Sequence, residues 1–371
     1  MKVNNKYYRS IWLKEKDPSV VLSIDQRKLP FEFHVVEFKT VEDIREAIEN
    51  MTVRGAPLIG VAAAYGMYLA AYNQPAGNYA EKYFSDIAEK FKSARPTAVN
   101  LALAVNRSLD NILDEEKPAD RLNAAMQTAL ELAEQETGYC QNIGRFGLPL
   151  IEKISKEKAG ATVNILTHCN AGWLACVDYG TATAPIYFAH EKGIKVHVWV
   201  DETRPRNQGA RLTVWELSQQ GIPNTLVTDN AGGMLMQQGK VDIVLVGSDR
   251  TTITGDVANK IGTYLKALAA KDNNVPFYVA LPSTSIDPSL RNGLNEIPIE
   301  KRSGEEVEFM EGMLGTGLKH VRICEEGTNI SNLGFDITPA RLVSGLITER
   351  GICQAKEEDI LKLFPEFSDT R

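Results

Sequence analysis

From Thr40 to about Lys158 the apolar residues recur at three-and-four spacing, as in Ile44, Ala47, Ile48 and Met51. Ala- and Leu-rich segments at 57–72, 80–93, 97–114 and 119–136 continue that rhythm, which predicts a helical region. Thr40-Val41-Glu42-Asp43 opens it as a capping box, an acceptor at the N-cap with a carboxylate three residues on. Ahead of it, the first 35 or so residues mix Lys, Tyr and Trp with short alternating runs such as Val20 to Ile24, which predicts two or three small strands. After Gly160 the rhythm changes. Runs at Val163–Thr167, Lys195–Val200, Thr225–Thr228, Val241–Val246 and Phe277–Leu281 alternate with helical stretches at about 172–192, 208–219, 230–238 and 257–271. Strands alternating with helices of this length predict βαβ units and a parallel sheet covered on both faces. The expected architecture is α/β: a doubly wound, Rossmann-like domain over 159–371, preceded by a smaller, mainly helical domain over 1–158 with a few short strands. The polar stretch Ser155 to Gly160 marks the boundary.

Composition narrows the function. The 371 residues hold 41 Lys and Arg against 48 Asp and Glu, a net charge of −7, which argues against nucleic acid as a partner. One local basic pocket still suffices for a small phosphorylated metabolite. No apolar run approaches the roughly 20 residues of a membrane helix, and the start MKVNNKYYRSIWLKEKD lacks the apolar stretch of a secretory signal. Five cysteines, an odd number without a CxxC pair, suit reduced thiols in a cytoplasmic protein.

Common cofactor and hydrolase motifs are missing. No GxGxxG follows a predicted strand, and neither HExxH nor GxSxG occurs. Gly233 to Gly239-Lys240 has five intervening residues rather than four, and Val241 stands where a phosphate loop needs Ser or Thr. It reads as a helix end before a strand. His190 and His197 are too scattered to predict a metal site. Neither a metal nor an organic cofactor is expected.

Ligands of open parallel sheets bind beyond the carboxyl ends of the strands. Those ends read Thr167-His168-Cys169-Asn170-Ala171-Gly172, Asp201 to Gln208, Asp229 to Gly232, Gly247-Ser248-Asp249-Arg250 and Pro282-Ser283-Thr284. Cys169, ahead of the helix expected at 172, would have its thiol activated by helix amides; the plainer alternative is a small core residue. Cys176, two turns into that helix, reads as packing. Asp249, at the mouth of an apolar strand, would be desolvated into a general acid, unless it caps a turn or pairs with Arg250. Asp201 and Asp229 have the same placement, and spacing alone does not choose among the three. Arg54-Gly55-Ala56-Pro57 offers a guanidinium and bare amides ahead of a helix, and Arg95-Pro96-Thr97 repeats the theme. Each also suits an ordinary helix start. Asn259-Lys260, expected early in the helix after Asp249, would supply an amide and a charge, or simply a solvated face.

With Val53 to Gly60, Arg95 to Leu101, Leu166 to Gly172, Asp201 to Pro205, Gln208 to Thr213, Val246 to Arg250, Gly255 to Thr263 and Asn332 to Pro339 together, the sequence resembles the methylthioribose-1-phosphate isomerase family over essentially its whole length. That family is related to the alpha, beta and delta regulatory subunits of translation initiation factor 2B. The resemblance implies a catalytic pair, Cys169 and Asp249, with Asp249 as proton donor. It implies sugar-phosphate contacts at Arg54, Gly55, Ala56, Arg95, Gln208, Asn259 and Lys260, and a homodimer formed through the α/β domain. Pro339 would open the last helix. Ser248 and Gly334 stand where alanine is usual, which leaves the exact sugar open. The implied reaction converts 5-methylthioribose 1-phosphate to 5-methylthioribulose 1-phosphate in methionine salvage. 5-Deoxyribose 1-phosphate is the nearest alternative substrate, ribose 1,5-bisphosphate a weaker one, and a non-catalytic sensing subunit the alternative of another class.

Overall fold

Branched aliphatic runs fill the centre of the protein as strands, because only residues buried on both faces of a sheet read as unbroken apolar stretches. The computed structural model describes residues 1–75, 80–95 and 99–370. Five short strands come first: β1 (Lys2–Val3), β2 (Lys6–Tyr7), β3 (Ile11–Leu13), β4 (Val21–Ile24) and β5 (Val35–Phe38). Five helices follow: α1 (Val41–Glu49), α2 (Ala56–Tyr72), α3 (Ala80–Ala94), α4 (Val99–Leu113) and α5 (Pro118–Glu157). The expected capping box is present, with Thr40 accepting from the Asp43 amide and Asp43 accepting from the Thr40 amide. Helix α2 is apolar around its whole circumference, so it sits inside the bundle with all residues but Tyr72 buried. Pro96, Thr97 and Ala98, and with them the capping role expected of Thr97, lie outside the described residues.

The remaining elements alternate: β6 (Val163–Thr167), α6 (Ala184–Glu191), β7 (Val196–Asp201), α7 (Val214–Gln219), β8 (Asn224–Val227), α8 (Ala231–Gln237), β9 (Ile243–Val246), β10 (Arg250–Thr252), β11 (Val257–Lys260), α9 (Thr263–Asp272) and β12 (Phe277–Ala280). After β13 (Ile286–Asp287) come one-turn helices α10 (Gly293–Glu296) and α11 (Glu305–Glu308), the hairpin β14 (Phe309–Leu314) and β15 (Gly317–Arg322), then β16 (Phe335–Thr338), β17 (Gly345–Thr348), β18 (Gly351–Cys353) and α12 (Glu357–Leu363). The main sheet runs β18-β17-β12-β9-β6-β7-β8, parallel except for β18. From β6 the chain winds outward through β7 to β8, then returns to place β9 on the other side of β6. The direction of winding reverses between β6 and β9.

Three expectations need correction. The helix read at 172–192 is a three-residue turn at Trp173–Ala175, a loop, and α6 from Ala184. Gly172 and Gly180 pack against one another there, in a chain path that leaves no room for a helix. The helix read at 257–271 starts only at Thr263, because Val257–Lys260 pairs with β10 and β16 as a strand. Pro339 opens a single turn at Ala340–Leu342, not a helix. The segment read at 119–136 is the first half of α5, which at 40 residues is about 60 Å long and runs out of the bundle onto the sheet.

That second half of α5 meets α6 through glycines. A Cβ built at Gly147 would lie 2.5 Å from Pro185 Cγ, whereas one at Gly138 meets nothing within 4 Å. Gly147→Ala should therefore cost about 1–3 kcal/mol by overpacking. Gly138→Ala should gain up to about 1 kcal/mol from helix propensity, and urea unfolding of the two variants checks both signs.

Candidate active site

Strands β6 and β9 are neighbours, with Ile165 opposite Ile243, so the residues that follow them flank the point where winding reverses. That crevice is where a doubly wound sheet offers a ligand unpaired strand ends from both sides. Beyond β6 the chain turns sharply through Cys169, whose φ of 64° is left-handed. The Cys169 amide donates to Thr203 Oγ1 (2.9 Å), and its carbonyl accepts from Thr213 Oγ1 (2.6 Å). Beyond β9, the Asp249 amide donates to the Ala258 carbonyl (3.0 Å), and the β10–β11 hairpin folds back to present Asn259 and Lys260.

A small hollow is lined by Arg54, Gly55, Ala56, Cys169, Asp249 and Asn259 among others. A neighbouring recess shares Gly55, Ala56 and Asp249 and adds Arg95; another shares Arg54 and adds Gln208. Eight of the nine residues expected at the site thus line these three neighbouring recesses. The ninth, Lys260, is 6 % exposed, with Nζ 5.1 Å from the ring centroid of Phe335 in the recess of Arg95. Among the described residues no carboxylate lies within 4 Å of that ammonium.

Charge is set by burial against these cations. Burial pushes the Asp249 carboxyl up from its usual range, opposed by Lys260, Arg54 and Arg95. Burial also pushes the Cys169 thiol up, opposed by Arg54 and Lys260. Lys260 itself is pushed down by burial, with Cys169 and Asp249 acting the other way. The thiol therefore gains no help from a helix, contrary to expectation; the neighbouring cations are what favour its anion. Nor does Arg250 neutralise Asp249, because it pairs with Asp287 (Nε to Oδ2 3.0 Å).

The phosphate-type features are built from backbone. Gly55 caps α2 with φ 101°, and a Cβ there would overlap the backbone of Ala175, so the helix start is bare. Arg54 is aimed by Asn170, donating to its side-chain oxygen (2.5 Å) and its carbonyl (2.9 Å). Arg95 reaches Glu300 (3.3 Å) and keeps a buried Nε without a partner; Gln208 Oε1 is buried and unpartnered as well.

Several participants escaped the sequence reading. Asn170 was quoted only as part of a strand end. Arg302 pairs with Glu300 and Glu306 nearby in the chain, and Glu306 also pairs with Arg206, 100 residues away. Glu216, fully buried on α7, accepts from the Leu174 amide (2.7 Å) beneath the Cys169 turn. Only the coincidence of an acid with an otherwise apolar helix face hinted at it. His168, Asp201 and Asp229 place ligand atoms within 4.8 Å of one another, but Lys266 Nζ stands 3.1 Å from Asp201 Oδ2, where a metal ion would meet its like charge. An open groove lined by His190, His197 and Trp199 lies at the opposite, amino-terminal ends of β6 and β7. The crevice holds the reactive groups.

Residues 52–355 match the Initiation factor 2 subunit family. The chain belongs to that family. It is 58% identical to methylthioribose-1-phosphate isomerase of Desulfatibacillum aliphaticivorans over 99% of both chains. Among solved structures, 5-methylthioribose 1-phosphate isomerase from Pyrococcus horikoshii OT3 superposes with a TM-score of 0.83 at 39% identity, covering 97% of each chain. The delta subunit of translation initiation factor eIF-2B from A. fulgidus superposes at 0.79 with 36% identity, covering 97% of this chain and 100% of that one.

Burial raises the Glu216 carboxyl to about 7, with the Leu174 amide opposing. The folded value lies above the unfolded one, so this group's contribution is complete below pH 4.5 and is lost as pH rises through 7. Glu216→Gln should remove that loss, roughly 3 kcal/mol between pH 4.5 and 7.5. Urea unfolding of both proteins at the two pH values would show it as a flatter pH dependence in the variant.

Proposed function

We propose that this protein is a sugar-phosphate isomerase that converts 5-methylthioribose 1-phosphate to 5-methylthioribulose 1-phosphate. The reading rests on one observation above the rest: a thiol and a desolvated carboxyl extend from adjacent strands into one hollow walled by cations. Relatives of matching length that bear the isomerase name support it.

A 1-phosphorylated sugar has no free anomeric hydroxyl, so its ring must open with the phosphate in place. Asp249, whose carboxyl burial pushes up, gives a proton to the ring oxygen, and the C1–O4 bond breaks to leave an oxocarbenium-like phosphoester. The C2 proton becomes acidic. Cys169 as thiolate removes it, forming an enol, and returns it to C1 while the O2 proton passes to Asp249. The product is a 2-ketose 1-phosphate, and both groups end in their starting state. A direct hydride shift from C2 to C1 is the competing route, with Cys169 handling the hydroxyl proton instead. Arg54, Arg95, Lys260, Asn259, Gln208 and the bare amides at Gly55 and Ala56 hold the phosphate and sugar. No step requires a cofactor.

The fold is shared with a regulatory subunit, so turnover is the discriminating fact. A cytoplasmic homodimer fits this reading. No described helix is long and apolar enough to cross a membrane, and the five cysteines are unpaired. Edge strand β8 and the neighbouring helices expose Leu226, Met234 and Leu265, which suits a second copy.

The deciding measurement compares kcat/KM for methylthioribose 1-phosphate, 5-deoxyribose 1-phosphate and ribose 1,5-bisphosphate. The first should lead the second by the 10- to 200-fold that an apolar increment supplies. Absence of turnover on all three would leave the regulatory reading. Cys169→Ser and Asp249→Asn should each lower kcat by about 10²–10⁴ while binding persists. Reaction in D₂O separates the routes, since the thiolate path puts solvent deuterium at C1 and hydride transfer does not.

A further inference from the structure

Directly beneath the hollow, the chain buries a cluster of charges that the isomerisation itself does not consume. His168, wholly buried, precedes Cys169 at the end of β6. Its Nε2 lies 2.8 Å from the Ile261 carbonyl, and its Nδ1 lies 2.9 Å from Asp201 Oδ2. A carbonyl only accepts, so Nε2 bears hydrogen. The Lys266 ammonium stands 3.1 Å from the same Asp201 oxygen. Both ring nitrogens thus have partners on other elements.

Those two bonds tie together different walls of the site. Ile261 directly follows Lys260 at the end of β11, and Asp201 ends β7. The Thr203 hydroxyl accepts the Cys169 amide and donates to the Asp201 carbonyl, closing the loop back to the thiol. Every charge around the ring has its own anchor. Asp229 accepts the Thr203 and Arg204 amides (2.6 and 2.7 Å), and its carbonyl accepts from Lys266. Asp336 on β16 accepts the Gly262 and Tyr264 amides (2.7 and 3.1 Å). The charged groups facing the Cys169 thiol are Arg54, Lys260 and Asp249. Of these, Lys260 is the one whose next residue in the chain, Ile261, His168 holds.

We propose that His168 is a positioning residue: bridging the Cys169 turn to the carbonyl beside Lys260, it fixes the separation at which the Lys260 ammonium stabilises the Cys169 thiolate. The proposal builds on the isomerase reading for its consequence in turnover, but its physical content is the state of one thiol. It predicts that loosening the bridge lowers the thiolate fraction at a given pH.

The test reads the thiol without substrate. Iodoacetamide alkylation of Cys169 is followed by peptide mass analysis across pH in the intact protein, in His168→Gln, in Lys260→Met and in the double variant. Glutamine keeps one donor of similar reach and loses the second ring contact. His168→Gln should raise the midpoint of Cys169 alkylation by about one pH unit, a tenfold loss of thiolate. With methylthioribose 1-phosphate, kcat should fall about ten- to a hundredfold while KM stays within about threefold. Lys260→Met should raise the midpoint as well, and the double variant should show little more than the larger single shift, since both act through one contact. A folded His168→Gln with the native midpoint, or two shifts that simply add, overturns the proposal. If His168→Gln fails to fold, Asp201→Asn, which keeps the shape but not the charge that orients the ring, must give the same shift or the proposal falls. Correct alkylation behaviour without turnover of the sugar would sink the proposed function alone.

Discussion

An ammonium buried to 6 % exposure with no carboxylate among the described residues in ion-pair range is a cost of several kcal/mol that the fold has to offset elsewhere. Lys260 is that group, and the site is arranged around it. It sits on a strand rather than a mobile loop, its ammonium lies over Phe335, and its backbone carbonyl neighbour is held by His168. The charge is left open toward the thiol and the carboxyl, both of which it pushes toward their anions. An incoming phosphate would supply the missing counter-charge, so ligand binding and relief of the buried cation are the same event.

Topology makes that arrangement attainable. Adjacent parallel strands whose crossovers leave in opposite directions cannot cover the space beyond their ends, and here those strands carry Cys169 and Asp249. The helical part fills the opening from above with the start of α2. Gly55 permits contact with Ala175, so Arg54 comes close enough to be aimed by Asn170, the residue next to the thiol. One hydrogen-bonded pair thereby locks the helix start to the β6 turn. Asp249 meanwhile owes its upward-pushed carboxyl to the same enclosure, and its amide is tied to the hairpin that returns Lys260.

Much of this was legible in the chain. Val163–Thr167 and Phe277–Leu281 read as buried strands because no polar residue breaks the apolar run except Asn164, and the structure ends them within a residue of expectation. The strand ends pointed to Cys169 and Asp249 as two among several candidates; the motifs singled them out. What was not legible came from tertiary override. Val257–Lys260 has no strong local preference, and pairing with two neighbours makes it a strand. The stretch after Gly172 contains helix formers, but close packing of Gly172 on Gly180 and Glu216 commits the chain to a loop. The link from Arg206 to Glu306, 100 residues along the chain, leaves no local signature.

The missing helix changes the chemistry as well as the fold. A helix N-terminus would offer the thiolate a fixed partial charge of about +0.5, whatever occupied the hollow. Two full cations on separate elements behave differently, because each can be shared with a ligand. On the proposed reading, a phosphate drawing on Arg54 and Lys260 would take part of that charge away from the sulfur. Their pull on the thiol would then differ between the empty and the occupied hollow. A fixed helix end could not make that distinction, which gives a physical reason for the loop where the sequence alone suggested a helix.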